Sequence, residues 1–91
     1  MPMIYHATAV KQVEILEGYR LLLTFDNGEK RVFDVEPLLT FGKFRELASP
    51  SLFRTVRVSF DTIAWSNGLD LDPEYLYEHS KTFSAEPIAS L

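Results

Sequence analysis

The sequence contains no cysteine, and this absence excludes disulfide bonds, thiolate nucleophiles and cysteine-ligated zinc. Its two histidines, His6 and His79, lie near opposite ends of the chain. Residues 1–10 have no basic segment of the kind that opens a signal peptide. The apolar run Leu21-Leu22-Leu23 is far shorter than the roughly 20 residues that span a bilayer. We therefore expect a cytoplasmic protein that does not contact membranes.

The charge balance disfavours nucleic acid as the main partner. The formal net charge is −4, whereas binding to phosphates depends on clustered Lys and Arg. The charges are nevertheless segregated along the chain. Residues 43–57 hold four basic side chains and one acidic, and residues 61–78 hold five acidic side chains and no basic one. These two segments either pair with each other, or are solvated, or form a surface for a partner.

Hydrophobic alternation in the first part of the chain predicts three antiparallel strands. The expected strands are residues 9–16, 19–25 and 29–35. A three-residue hairpin loop with left-handed Gly28 would place Leu21 opposite Phe33. This register also sets Arg20 opposite Asp34, a pairing of opposite charges. The face that we predict to be covered carries Tyr19, Leu21, Leu23, Phe25, Phe33 and Val35.

Proline and glycine positions in the remaining chain predict short helices and a second hairpin. Helical segments are expected near residues 36–40, 43–48, 50–53 and 73–80. In the last of these, Asp72 is the N-cap and Pro73 is the first helical residue, with His79 a candidate to point inward. The second hairpin is expected to consist of a strand at residues 55–59, a turn at 60–61 and a return strand at 63–65. In its first strand, Val56 and Val58 should point inward and Arg57 outward. A further turn then leads into residues 69–71.

These elements predict an α+β domain in which a small antiparallel sheet of about five strands, built from two hairpins, is packed by short helices. We expect a single domain over residues 1–81 and a flexible C-terminal tail over residues 82–91. Aromatic residues flank the lysine and arginine side chains of residues 43–57. Proteins that stack on single-stranded nucleic acid show a similar pattern. A domain this small needs its aromatic side chains in the core. We therefore expect Phe41, Phe44, Phe53 and Phe60 to be buried.

No pattern in the sequence predicts catalytic, metal-binding or cofactor-binding residues. There is no nucleophile elbow and no glycine-rich phosphate loop. The acidic residues at 70, 72 and 74 resemble the opening of a calcium loop, but the positions that require glycine and glutamate hold Tyr75 and Lys81. We expect neither a cofactor nor a metal.

Three segments carry a resemblance to a known family: YRLLLTFDNGE at residues 19–29, VFDV at 32–35, and IAWSNGLDLDPEYLY at 63–77. Together they resemble the bacterial family called domain of unknown function 2442, over roughly residues 8–78. The resemblance implies a small α+β domain without an established activity. It also implies a gene that neighbours another short protein, in an arrangement similar to toxin–antitoxin modules. Some members continue into a helix-turn-helix domain; since this chain stops at residue 91, any DNA role is expected to come through a partner.

The leading hypothesis is a non-catalytic protein-interaction module, the antitoxin-like partner of a small protein encoded nearby. The candidate partner-binding residues are Arg45, Arg57, Trp65, Asn67 and Asp70. Two of them have a structural alternative, since Trp65 is favoured as a core residue and Asn67 as a turn former.

Three further alternatives stay open. The chain could be a small-ligand-binding protein or an enzyme, with a pocket near Trp65, Asp70 and Tyr75. It could bind nucleic acid weakly through residues 43–57. It could also form a homodimer, through an unpaired edge strand or through the outer sheet face that carries Leu22 and Val32.

Overall fold

A computed structural model describes residues 8–83, in which seven strands form two antiparallel sheets. The strands are β1 (Val10–Ile15), β2 (Arg20–Phe25), β3 (Lys30–Asp34), β4 (Arg57–Ser59), β5 (Thr62–Ala64), β6 (Asp70–Leu71) and β7 (Lys81–Thr82). The helical segments are two 3₁₀ helices (Glu36–Leu38 and Gly42–Ala48) and the α-helices α1 (Pro50–Phe53) and α2 (Pro73–Glu78). Among residues 8–83, none of these helices has the length and apolarity needed to cross a membrane.

The first sheet has the strand order β1-β2-β3-β7, and the second has the order β4-β5-β6. The predicted register of the first hairpin is confirmed, since Leu21 lies opposite Phe33 and Arg20 opposite Asp34. Gly28 has φ of +88°, which is the left-handed conformation that the three-residue loop requires. The α+β class is also confirmed. The chain has more strands than the expected five or so, because it adds the two-residue strands β6 and β7.

Strand β7 lies at the boundary where a flexible tail was expected to begin. Val32 lies opposite Lys81, and the N–H of Phe83 donates to the carbonyl of Lys30 at 2.9 Å. The strand forms because the outer edge of β3 offers free backbone donors and acceptors. Two residues are too short for their own alternation to predict such a strand. Residues 84–91 lie outside the described residues, and the division into residues 1–81 and 82–91 stays a prediction.

The hydrophobic core lies between the inner face of the first sheet and the elements that pack against this face. The buried apolar residues that form it are Val10, Leu21, Leu23, Phe25, Phe33, Val35, Leu47, Phe53, Ile63, Trp65 and Leu76. They come from both sheets, the second 3₁₀ helix, α1 and α2. Tyr19 packs against this cluster, and its hydroxyl donates to the carbonyl of Ala48 at 2.6 Å.

Some expected burial was wrong. Val58 was predicted to point inward, but it is 38% exposed, because β4 is an edge strand whose side chains are covered on one side only. Phe41 and Phe60 were expected in the core and are 63% and 95% exposed. Of the other two phenylalanines, Phe53 is buried as predicted and Phe44 is half-buried.

Helix α2 begins as predicted and ends earlier. The Asp72 carboxylate accepts from the N–H of Glu74 at 3.4 Å, and Pro73 occupies the first helical position, so the N-cap is confirmed. The helix ends at Glu78 rather than at residue 80, and His79 is the C-cap. The prediction that His79 points inward was wrong: it is exposed, and its ring stacks on Tyr75 with centroids 4.0 Å apart.

Arg31 connects the first sheet to the segment that follows α2. By strand alternation it shares the core face with Phe33, and its polar atoms are satisfied by hydrogen bonds. Its guanidinium donates to the Ser80 hydroxyl at 2.8 Å, to the Ser80 carbonyl at 2.9 Å, and to the Glu29 carboxylate at 3.1 Å. It also lies over the Tyr77 ring, 4.4 Å from its centroid. One side chain therefore holds the end of α2 and the start of β7 against β3.

Replacing Arg31 with methionine should lower the free energy of unfolding by about 2 kcal/mol, because the buried acceptors of Ser80 lose a charged donor. Urea denaturation at low micromolar concentration measures this change. Arg20→Met is the matched control. Its ion pair with Glu17 is long, at 3.9 Å, and exposed, so the loss should stay within about 0.5 kcal/mol. Equal losses in the two variants would contradict the role of Arg31.

Candidate functional site

Asn67, one of the candidate residues, lies in a three-residue hairpin loop formed by residues 66–68. Trp65, another candidate, directly precedes this loop. The N–H of Trp65 donates to the carbonyl of Leu69 at 2.9 Å, and the N–H of Gly68 donates back to Trp65 at 3.0 Å. Gly68 has φ of +91°, and the Asn67 side-chain oxygen accepts from the N–H of Leu69 at 3.2 Å. Asn67 therefore forms the turn with both its backbone and its side chain.

The first hairpin contains the same turn. The N–H of Phe25 donates to the carbonyl of Glu29 at 2.9 Å, and the Asn27 side-chain oxygen accepts from the N–H of Glu29 at 2.9 Å. Gly28 takes the place that Gly68 has in the second turn. The repeated Asn-Gly pair thus has one local function in both places, which is to close a hairpin.

Asn67 differs from Asn27 in what surrounds it. The Asn67 amide donates to the Glu46 carboxylate at 2.9 Å, and its backbone carbonyl accepts from the Lys43 ammonium at 2.9 Å. Both partners belong to the second 3₁₀ helix. These two bonds attach the hairpin loop to that helix, so the polar groups of Asn67 are used within the fold.

Trp65 is a core residue, as the sequence favoured. It is 1% exposed, and its indole N–H donates to the backbone carbonyl of Phe53 at 3.1 Å. A buried tryptophan usually finds such a partner for its N–H. Its side chain therefore presents no surface to a ligand or partner.

Arg57 and Asp70 lie in one row across the second sheet, each opposite Ala64. Side chains in such a row point to the same face, and residues two strands apart are separated by about 10 Å. Both side chains are exposed, as is Arg45 on the second 3₁₀ helix. Of the five candidates, the structure thus places Arg57 and Asp70 on one exposed face and uses Trp65 and Asn67 internally.

The basic and acidic segments do not pair with each other through salt bridges in the part of the chain that the structure describes. The ion pairs there join Arg20 to Glu17 and Arg31 to Glu29. Lys43, from the basic segment, bonds to a backbone carbonyl instead. Within residues 8–83, no three His, Asp or Glu side chains converge as metal ligands would.

Four depressions of the described surface have volumes of about 210 to 470 Å³. None of the four is lined by Trp65, Asp70 or Tyr75, the residues around which a pocket was expected. The depression of about 470 Å³ lies between the outer face of the first sheet and β4, and its walls include Glu14, Lys30 and Arg57.

The most unusual exposed residue was missed in the sequence. Phe60 is 95% exposed and has φ of +50°, in the two-residue turn between Ser59 and Thr62. Glycine is the usual residue at the first loop position of a hairpin turn that needs positive φ. An aromatic residue at that position is the signal that could have identified it, because neither the turn nor the core requires a phenylalanine there.

The architecture defines a small α+β domain, with two antiparallel sheets and short helices around one core. The chain belongs to the family described as Protein of unknown function (DUF2442), whose model matches residues 10–82. No curated protein and no solved structure matches the chain.

The two Asn-Gly turns allow a matched test of the second role of Asn67. Asn67→Asp should lower the free energy of unfolding by about 1 kcal/mol at neutral pH, because it replaces the amide donor with a carboxylate that faces the exposed Glu46. Asn27→Asp keeps the same turn acceptor and breaks no bond to a carboxylate recorded for residues 8–83. Since Asp26 and Asn27 are exposed and Glu29 is partly exposed, solvent screens the added charge, and we expect a change within about 0.5 kcal/mol. Thermal or urea unfolding of both variants measures the difference. Equal stabilities would show that the bond to Glu46 contributes nothing.

Proposed function

We propose that this chain is a non-catalytic protein-interaction domain that contacts its partner through Phe60 at the β4–β5 turn. The observation that carries the proposal is the combination of nearly full exposure with a positive φ at a bulky side chain. Single exposed apolar residues are ordinary on protein surfaces. A non-glycine residue in left-handed backbone is uncommon, and such strain is concentrated at functional positions.

The backbone of the turn is held in place, which favours recognition. The carbonyl of Asp61 accepts from the N–H of Val10 at 2.9 Å, so the turn is attached to the first strand of the other sheet. Phe60 therefore projects from a fixed base. A turn whose backbone is already held loses less conformational entropy when it binds.

The free energy available from this one residue is substantial. Burying a phenylalanine that was exposed contributes roughly 1.5–3 kcal/mol, which corresponds to about one to two powers of ten in affinity. Val58 is 38% exposed two residues away, and Arg57 is exposed beside it. Aromatic residues, phenylalanine included, and arginine are both enriched at protein interfaces.

The partner that we propose is another small protein encoded nearby, with this chain in the antitoxin-like role and the cytoplasm as the location. The family resemblance supports this choice. The ligand-site and enzyme alternatives lose support because Trp65 is buried. The nucleic-acid alternative is weakened by the net charge of −4 and by the engagement of Lys43 with a backbone carbonyl.

Phe60→Gly should raise the free energy of unfolding slightly, by about 0.5 kcal/mol. Relief of the left-handed strain, about 1–2 kcal/mol, exceeds the entropic penalty of glycine, about 0.5–1 kcal/mol. Phe41→Gly is the control, because Phe41 is also exposed but has an ordinary φ of −111°. This variant should lose about 0.5–1 kcal/mol. Thermal unfolding measures both changes, and a destabilised Phe60→Gly protein would contradict the strain argument.

Binding is tested by co-expressing the chain with the neighbouring gene product and titrating the purified proteins in a calorimeter. We expect a complex that Phe60→Ser weakens by at least about tenfold, whereas Phe41→Ser leaves it unchanged. The absence of a complex at micromolar concentrations, or equal effects of the two substitutions, would overturn the proposal.

A further inference from the structure

The outer face of the first sheet carries a row of side chains with an ordered charge pattern. Glu14 on β1 lies opposite Leu22, Leu22 opposite Val32, and Val32 opposite Lys81 on β7. The row therefore reads acidic, apolar, apolar, basic across four strands. The adjacent row also holds charges of opposite sign but in the reverse order, with Arg20 on β2 opposite Asp34 on β3.

Residues 56–58 border this face beside β1 and share a depression with Leu22, Thr24 and Lys30. In the described part of the chain, however, no element packs over this face as the core elements pack over the other. Leu22 and Val32 are half-buried, and neither belongs to the apolar cluster or to the residues packed against it. Phe83, which follows β7, is 38% exposed and lines a depression with Val32. The face thus offers apolar side chains between charges of opposite sign.

We propose that a second copy of this chain packs face to face on this sheet, about a two-fold axis that runs parallel to the strands between β2 and β3. Such an axis exchanges β1 with β7 and β2 with β3 while it keeps each row in place. In an isologous interface of this kind, every contact occurs twice.

The charge pattern is self-complementary under this operation. Glu14 of one copy faces Lys81 of the other, and Leu22 faces Val32. In the next row, Arg20 faces Asp34 of the second copy. No like charges meet in these two rows, and like charges are the usual obstacle to the association of identical surfaces.

The depression of about 470 Å³ fits the same arrangement. It borders β1, with Gln12 and Glu14 on one side and Val56 and Val58 on the other. Since the axis brings β7 of the second copy over β1, Lys81 and Phe83 of that copy would lie at its mouth. The exposed ring of Phe83 would then gain apolar contacts that it lacks in the single chain.

The size of the face indicates a weak dimer. Strands β1, β2 and β3 have five or six residues and β7 has two, so the four strands cover at most about 19 by 17 Å, or roughly 300 Å² in projection. Stable complexes typically bury about 800 Å² on each partner. We therefore expect reversible association that depends on concentration and is weakened by salt. The dimer does not depend on Phe60 and stands apart from the proposed function.

A charge exchange tests the arrangement by sedimentation equilibrium, at low salt and from about 10 µM to about 1 mM, the range for a small interface. Lys81→Glu should weaken the dimer at least about tenfold by setting two carboxylates face to face. Glu14→Lys should do the same, because it sets its ammonium group opposite Lys81 of the second copy. The double variant should return to within about threefold of the original affinity. Within one chain the two positions are about 14 Å apart, too far for a screened interaction to explain the rescue.

Arg45→Glu, with the same charge reversal on the exposed second 3₁₀ helix, is the control and should leave the association unchanged. Circular dichroism confirms that each variant is folded. If Lys81→Glu disturbs β7, the single variant Glu14→Lys still tests the proposal, since the Glu14 side chain is exposed. A chain that stays monomeric at the highest concentration, or a double variant as weak as the single ones, would overturn the proposal.

Discussion

The fold depends on one constraint: the short elements outside the first sheet suffice to cover one of its faces. The inner face buries its apolar residues against the second sheet, the second 3₁₀ helix, α1 and α2. A chain of this length buries only about two thirds of the surface that it exposes when unfolded. The outer face is therefore left with half-buried Leu22 and Val32 among charges. Because the core elements occupy the inner face, the outer face is the one left available to contact another molecule.

Polar side chains complete this arrangement by fixing the short elements in place. Helical segments of three to seven residues and strands of two or three have little stability of their own. Arg31 attaches the end of α2 to the first sheet, and Asn67 attaches the second hairpin to a 3₁₀ helix. The Trp65 indole adds a bond from the same hairpin to α1. Asn67 and Trp65, two of the candidate partner-binding residues, thus connect elements of the fold.

Sequence reasoning succeeded where a local rule determines the outcome. The register of the first hairpin followed from the cross-strand pairs that a three-residue loop creates, and the start of α2 from Asp72 and Pro73. It failed where tertiary packing decides. Strand β7 exists because β3 has a free edge, and Val58 is exposed because β4 is itself an edge. For a related reason, the composition around Trp65 cannot distinguish a surface anchor from a core residue that donates to a backbone carbonyl, and the structure places Trp65 in the core.

Phe60 and the outer sheet face support association with other proteins by different arguments. The face is what remains when the core elements have packed, so its apolar content alone needs no functional explanation; its charge order supplies the argument for a second copy. Phe60 is different because its left-handed backbone destabilises the fold and a glycine would relieve that strain. The contact that we propose for Phe60 would account for a phenylalanine at such a position with its ring in water. The two surfaces therefore rest on independent physical arguments, and one can fail without the other.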